Sequence, residues 1–509
     1  MNNNPLKEII INKAIKLHLQ GNIPEAIKQY KHCIAKGFND ARIFSNYGAI
    51  LQELGKLEEA AKWYSKAINL KPDFADAHSN LGNIFRHLGK FKEAELSTRK
   101  AIDLKPDFAN AYSNLGIILY NLGKFKEAEL SFRKAIELNP DHIKAHYNQG
   151  NLFSDLGKLK EAKISYRVAI QLNPNYAKAY YGLSLLKYSD ENNIWKKQLF
   201  SKSILNHLSK EDQINVYFAR ANILHEEKNY EHSSKFLKLA NQLKLSLNPS
   251  NSDFLINNSK RLLNKSIIQE MNKKEYTEST QSIFIVGMPR SGSTLLESIL
   301  SMNICVDDLG ESEILEESFK EVNRISSLAE RYWKKIKDYK KKPYKTTNKN
   351  LYNYLFTGII ANGIPNAKII HCYRNPLDNI LSIYRANFKE GNQYSSSLVD
   401  SARVYLNQEN IMSEYKKRFR STIYDLNYDS LVVNPKKEIR SLINWLGWEW
   451  QESFLSPHLN SRPIKTRSNI EVRSPINSNS VGGWKNYKEM LKPAMEIITK
   501  KDKYKDLKY

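Results

Sequence analysis

Pro72, Pro106, Pro140 and Pro174 stand 34 residues apart, and three further ladders keep the same step. Gly48, Gly82, Gly116 and Gly150 form one, Ala60, Ala94, Ala128 and Ala162 another, and Ala67, Ala101, Ala135 and Ala169 the third. A fixed period of this length restricts the chain to a stack of similar units, each burying its apolar face on its neighbours. The residue types have steric reasons. The Gly and Ala positions predict antiparallel helices that cross too closely for a larger side chain. Tyr64, Phe132 and Tyr166 are expected to fill the space between neighbouring repeats, and the prolines to end the second helix of each pair. Leu-Gly-Lys at 54–56, 88–90, 122–124 and 156–158 supplies the turn between helices, with Gly at a helix end.

Weaker copies flank these four. Ala14, Ala26 and Tyr30 fall on the same phase upstream, with Phe38 in the proline position; Gly182, Ala221, Tyr230, Ser233 and Ala240 echo it downstream. The array is therefore expected over residues 6–247, with an irregular patch near 189–212. This pattern resembles the tetratricopeptide repeat, and the resemblance implies an α-solenoid whose concave groove binds peptides. Asn46, Asn80, Asn114 and Asn148 form a fifth ladder two residues before the glycines. Each amide offers a peptide backbone both a donor and an acceptor. The ladder resembles the one in the tetratricopeptide-bearing O-linked N-acetylglucosamine transferase, which implies a peptide or protein partner on that face. Hydrogen bonds between repeats are the alternative use of these amides.

The chain has 509 residues, more than one hydrophobic core serves, and a formal charge of +24. The charge favours anionic partners without choosing among them, and no aromatic-interleaved basic motif points to nucleic acid. Lysine runs such as Lys340–Lys342 read as solvated surface. Cys33, Cys305 and Cys372 are far apart, with no CxxC, which speaks against a disulfide framework or a zinc cluster. No His or Asp/Glu cluster stands at metal-ligand spacing, so no metal is expected. The first residues lack the apolar core of a signal peptide, and no apolar run approaches the ~20 residues of a membrane helix. A cytoplasmic protein is expected.

The second half opens differently. After a polar connector at 248–281, with a short helix expected near 253–271, an apolar β-branched run at 282–286 leads into Gly287-Met288-Pro289-Arg290-Ser291-Gly292-Ser293-Thr294. Strand, Gly-rich turn and helix together let backbone N–H groups and a helix N-terminus wrap a phosphate. Gly287, Gly292 and Thr294 match the GxxxxGK[ST] spacing, but Ser293 occupies the lysine position and the cation has moved to Arg290. In nucleoside-triphosphate hydrolases that lysine and the Thr-bound magnesium neutralise a triphosphate. Loss of that lysine argues against ATP or GTP and suggests a smaller anion, such as a 5′-phosphosulfate.

Residues 284–300 resemble the 5′-phosphosulfate loop of sulfotransferases. The closest subgroup joins tetratricopeptide repeats to a catalytic domain related to tyrosylprotein sulfotransferases, which use 3′-phosphoadenosine 5′-phosphosulfate (PAPS). The resemblance implies that Pro289, Arg290, Ser291, Gly292, Ser293 and Thr294 bind the donor. In a second segment, 367–385, an apolar strand leads to Arg374 and then a helix bearing Ser382, eight residues or about two turns on. That spacing is expected to turn Ser382 toward Arg374, and the resemblance makes the two a grip on the nucleotide's 3′-phosphate. In Gly310-Glu311-Ser312-Glu313, Glu311 takes the place of the catalytic base, with Glu313 as the alternative. Lys349 matches the residue that steadies the transferring sulfuryl group, although Asn348 stands where Asp is usual. Tyr428 resembles a strand-end cofactor contact. Ser468, in the segment 466–476, resembles the ligand of a late covering loop. Gly483, in Ser480-Val481-Gly482-Gly483-Trp484-Lys485, stands where the family has Arg or Lys, with Lys485 as the nearby substitute.

The fold class expected is thus an α-solenoid over 6–247, a linker over 248–281, and an α/β P-loop-like domain with a central parallel sheet over 282–509. The expected activity is PAPS-dependent sulfuryl transfer to an acceptor hydroxyl, a protein tyrosine being favoured. Catalysis would fall to Glu311, Arg290, Lys349 and Ser468, without a metal, and binding of the nucleotide to Arg374, Ser382 and Tyr428. Transfer to a sugar or small-molecule hydroxyl, a repeat scaffold with a weak catalytic domain, and a magnesium-dependent nucleotide kinase are the alternatives.

Overall fold

The computed structural model describes residues 5–186, 194–268, 281–321, 326–339, 345–388, 391–460, 462–464, 466 and 468–508. Packing divides the chain into two units, Met1–Phe153 with Lys160–Pro174, and Ser154–Leu159 with Asn175–Tyr509. No helix among the described residues is long and apolar enough to cross a membrane.

The first unit is built from helix pairs, beginning with Pro5–Leu19 and Ile23–Ala35, then Ala41–Glu53 and Leu57–Leu70, Ala75–His87 and Phe91–Leu104, Ala109–Asn121 and Phe125–Leu138. The prolines act as expected: helices end at Leu70, Leu104, Leu138 and Leu172, and Lys71 before Pro72 leaves helical space at ψ 85°. Gly55, Gly89, Gly123 and Gly157 turn with φ of 73–77°, the left-handed conformation that a side chain disfavours. All eight alanines of the two ladders are fully buried. The glycine ladder marks the crossing of the two helices within one repeat. A Cβ at Gly116 would stand 2.6 Å from the Phe132 ring, and one at Gly150 2.7 Å from Tyr166. The rings thus lie on the glycine of their own repeat, where the sequence reading set them between neighbours.

In the second unit, five parallel strands run in the order β2-β3-β1-β4-β5. They are β1 (Gln281–Gly287), β2 (Val306–Asp308), β3 (Lys345–Asn348), β4 (Lys368–Tyr373) and β5 (Ile423–Asn427). Strand alternation sends Ile283 and Ile285 to a core with Leu296, Ile299, Leu442 and Ile443. Phe284 and Val286 face the other side, against Tyr332, Ile359, Met412 and Tyr415. Successive strands are laid down on one side of β1 and then on the other, so the order reverses between β1 and β4. That is where open parallel sheets bind ligands. The register places Gly287 beside Cys372, so both strands end at the same edge.

The last repeat-like helices, Lys210–Glu226 and Tyr230–Leu247, bury Phe218, Ala221, Leu237 and Ala240 in one core with Leu377, Ile380, Trp484 and Leu491. The repeat pattern thus reaches Leu247 in sequence, while the packing division comes at Asn175. The connector contains the helix Ser252–Ile268, which buries Leu255 and Leu262. Its remainder, 269–280, lies outside the described residues, as do 187–193 of the irregular patch and Lys340–Lys342.

Gly116→Ala should cost about 1–3 kcal/mol by overpacking Phe132. Gly21→Ala, where a Cβ meets nothing within 4 Å but φ is 74°, should cost about 1 kcal/mol. Thermal unfolding of the two variants checks this, and a Gly116→Ala loss below about 1 kcal/mol would contradict the packing account.

Candidate active site

The loop after β1 turns on Gly287 (φ 147°), Arg290 (φ 65°) and Gly292 (φ 93°). Arg290 is left-handed without being glycine, a conformation that persists only where its surroundings hold it. A Cβ on Gly287 would stand 2.3 Å from the Cys372 carbonyl oxygen, and one on Gly292 2.1 Å from Cδ2 of Tyr428. Asn379 Nδ2 donates to the Pro289 carbonyl at 2.9 Å. Gly292 then caps the helix Ser293–Leu300, whose first internal bond runs from Leu296 N–H to Gly292. The N–H groups ahead of it point out of the helix end, where an anion is favoured. The Ser291 hydroxyl is buried with no partner among the described residues. Ser293 is buried at the helix start, and the Thr294 hydroxyl lies 3.2 Å from that of Thr466.

Arg290 is the junction of the site. Its Nε donates to Ser382 Oγ at 2.9 Å, one terminal nitrogen donates to Ser468 Oγ, and the other to both carboxylate oxygens of Glu471 at 2.8 and 3.1 Å. Ser382 therefore serves Arg290, not Arg374 as the spacing suggested. Arg374 follows β4 and is held elsewhere. It donates to the Ser480 carbonyl at 2.7 Å and lies over the Tyr428 ring at 4.7 Å, and its own carbonyl accepts from Tyr405 Oη. Tyr428, whose ring backs Gly292, also bonds the Ser480 hydroxyl through Oη at 3.0 Å. The segment 480–485 is pinned by Asp378, whose two oxygens accept from Gly482 N–H (2.7 Å) and Trp484 N–H (2.9 Å). Burial raises the Asp378 pKa against the pull of those two donors. Gly483 has space for a larger side chain, with only Asp378 within 4 Å of an added Cβ, and Lys485 is exposed.

Lys349 and Glu311 meet across β2 and β3. The backbone brings them together, because Lys349 N–H donates to the Gly310 carbonyl at 2.8 Å. Lys349 Nζ donates to Glu311 Oε1 at 2.8 Å; the lysine side chain is 1% exposed and the glutamate 59%. Glu313 precedes the helix Ile314–Lys320.

Three residues escaped the sequence reading. Arg385 lies three residues past Ser382, on the same helical side. Its guanidinium makes no hydrogen bond or ion pair among the described residues, and burial lowers its pKa. Glu471, the third partner of Arg290, lies in the loop whose Ser468 was identified. Glu297 sits on the helix Ser293–Leu300, 3.8 Å from Lys349 Nζ. The three-residue step from Ser382 could have signalled Arg385, whereas nothing in the sequence linked Glu297 to a lysine 52 residues on.

Comparison with known proteins agrees with this layout. Residues 307–452 match a model described as sulfotransferase family, a span that holds Glu311, Lys349, Arg374, Ser382 and Tyr428. Residues 48–89 and 82–123 match a TPR repeat model, and 109–142 and 131–164 match tetratricopeptide repeat models. The chain therefore joins N-terminal tetratricopeptide repeats to a C-terminal sulfotransferase-family domain. It is 26% identical over 318 residues to an uncharacterised protein of Aquifex aeolicus, covering 57% of this chain but only 42% of that protein. Among solved structures, the MamA fragment of Desulfovibrio magneticus RS-1 is 21% identical (TM-score 0.31), covering 33% of this chain and 96% of its own. YrrB, titled a TPR protein with an unusual peptide-binding site, is 23% identical (TM-score 0.28), covering 39% and 97%.

Asp378→Asn leaves one oxygen facing two N–H donors. Hydrogen exchange at Gly482 and Trp484 should then accelerate about 5–150-fold, as expected for losing about 1–3 kcal/mol. Unchanged protection would show that Asp378 does not hold this segment.

Proposed function

We propose that the protein is a PAPS-dependent sulfotransferase acting on an acceptor hydroxyl, a protein tyrosine above all. The observation that carries the reading is Arg290, inside the anion-binding loop, bonded to Ser382 and Ser468 from segments 92 and 178 residues away. A cation with two hydroxyls at a helix N-terminus suits an anion smaller than a triphosphate, which would take the donors now held by the exposed Glu471 carboxylate. The orphaned Ser291 hydroxyl and the unpaired Arg385 guanidinium support the fit. The hydroxyl is buried and the guanidinium partly buried, and each gains from a phosphate or sulfate oxygen.

When bound, PAPS supplies a sulfuryl group whose bond to the bridging phosphate oxygen breaks as the acceptor oxygen bonds to sulfur, leaving adenosine 3′,5′-bisphosphate. Glu311 takes the proton of the acceptor hydroxyl. Its carboxylate is exposed enough to reach an incoming group, and the proton ends on its Oε. Arg290, Lys349 and Ser468 hold cationic and hydroxyl donors where negative charge gathers on the departing oxygen, a preorganised electrostatic effect. Arg374, Ser382, Tyr428 and Arg385 orient the nucleotide, with the loop Pro289–Thr294 around the 5′-phosphosulfate.

The repeats present the acceptor or a partner peptide. In support, Asn80, Asn114 and Asn148 make no side-chain hydrogen bond among the described residues, while Asn46 bonds Tyr30. Three of the four amides of the ladder are thus left for a peptide backbone.

Purified protein given radiolabelled PAPS and tyrosine peptides should transfer label without added magnesium. Arg290→Ala should abolish transfer, and Glu311→Gln should lower kcat about 10²–10⁴-fold while adenosine 3′,5′-bisphosphate still binds. Calorimetry showing tight magnesium-ATP binding and none of the bisphosphate would overturn the reading. Changing Asn80, Asn114 and Asn148 together to Ala should weaken capture of a bound peptide at least tenfold and leave bisphosphate affinity unchanged.

A further inference from the structure

Lys349 has two carboxylates, and they differ. Glu311 accepts its hydrogen bond at 2.8 Å and is 59% exposed; Glu297 Oε2 lies 3.8 Å from the same ammonium and is 4% exposed. Glu297 is also held from the other side. An Arg462 terminal nitrogen donates to Glu297 Oε2 at 3.2 Å and to Ser298 Oγ at 3.2 Å, and its other terminal nitrogen pairs with Asp308. Arg473 fixes this arginine in turn by donating to the Arg462 carbonyl. The second oxygen of Glu297, Oε1, is buried with no partner among the described residues.

Among the described residues the network holds three carboxylates (Glu297, Asp308, Glu311) and two cations (Lys349, Arg462). The two more buried carboxylates, Glu297 and Asp308, balance the two cations. Glu311 is the surplus charge, at the exposed end. A base that has taken a proton no longer neutralises Lys349, and a buried ammonium without a counter-charge is costly. Without Glu297, Lys349 would depend on Glu311 alone, and their ion pair would compete with proton transfer.

We propose that Glu297 is a positioning residue for sulfuryl transfer: it keeps Lys349 charged and in place while Glu311 leaves the ion pair to accept the acceptor's proton. The inference rests on the sulfotransferase reading above. Glu297 touches neither acceptor nor donor in this scheme and acts through Lys349. Burial raises its carboxyl pKa, with Asp308 adding to this, while Lys349 and Arg462 pull it down.

The test compares the full chain with Glu297→Gln, which keeps shape and removes charge, and with Glu297→Asp, which keeps charge. Loss of the buried anion tightens the Lys349–Glu311 pair, so that more acid is needed to break it. In Glu297→Gln, kcat is therefore expected to fall about 10–100-fold, KM for PAPS to change less than about twofold, and the acidic limb of the kcat/KM profile to move to lower pH. Glu297→Asp should recover most of the rate. In a Lys349→Met background, adding Glu297→Gln should have no further effect. Because Glu297 is buried, Glu297→Gln/Arg462→Gln, which removes one charge of each sign, is measured alongside with the same expectation. Wild-type rate and an unmoved acidic limb in Glu297→Gln, or in that double variant if the single one does not fold, would overturn the role. Wild-type protein that transfers no sulfuryl group would instead fail the sulfotransferase reading itself.

Discussion

The pairing of β1 with β4 is the constraint on which the rest of the catalytic unit depends. Its register sets Gly287 beside Cys372, so the loop that follows Gly287 and the turn carrying Arg374 leave the sheet at one edge. The same close approach demands glycine, because the Cys372 carbonyl leaves no room for a Cβ. Parallel pairing also requires each connection to cross back over the sheet, which buries both faces of β1. Arg290 is then framed by Ser382 from the helix after β4 and by Ser468 and Glu471 from the chain after β5.

The cations of the site are held with unequal economy. Arg290 is saturated by two hydroxyls and one carboxylate, and Glu471 is the exposed member of that set, its side chain 66% exposed. Arg374 is buried over Tyr428 and beside Asp378 and Asp429, at 4.0 and 3.8 Å. Arg385 makes no hydrogen bond or ion pair among the described residues, and the carboxylates of Glu226 and Glu471 act on it only from a distance. Desolvated cations are stable where counter-charges are placed, and where none is placed they favour an arriving anion. The polarity of the cradle thus follows from which guanidinium the fold chose to pair and which it left open.

The two halves show different uses of small residues. In the repeats, glycine permits a close helix crossing: Tyr64, Phe132 and Tyr166 rest on Gly48, Gly116 and Gly150. In the catalytic unit, glycine permits backbone turns: Gly287 and Gly292 have dihedrals that a side chain resists, and both also face crowded neighbours. The first use repeats at a fixed step and stands out in any reading of the chain. The second is singular and stands out only because the strand before it and the helix after it frame a phosphate loop.

What the chain alone determined were the features written as local period or contiguous motif. The 34-residue ladders dictated the helix pairs, because helix crossing and helix ending are decided by residues within one repeat. The run from Ser282 to Thr294 dictated strand, loop and helix for the same reason, and family resemblance nominated Glu311, Lys349 and Ser468. Tertiary structure decided the partnerships. It gave Ser382 to Arg290 and not to Arg374, left Arg385 without a hydrogen bond or ion pair among the described residues, and set Glu297 beneath Lys349. It also packed the last repeat-like helices into the core of the second unit. Those outcomes depend on strand order and on which helix faces bury together, and long-range contacts of that kind leave no regular spacing along the chain.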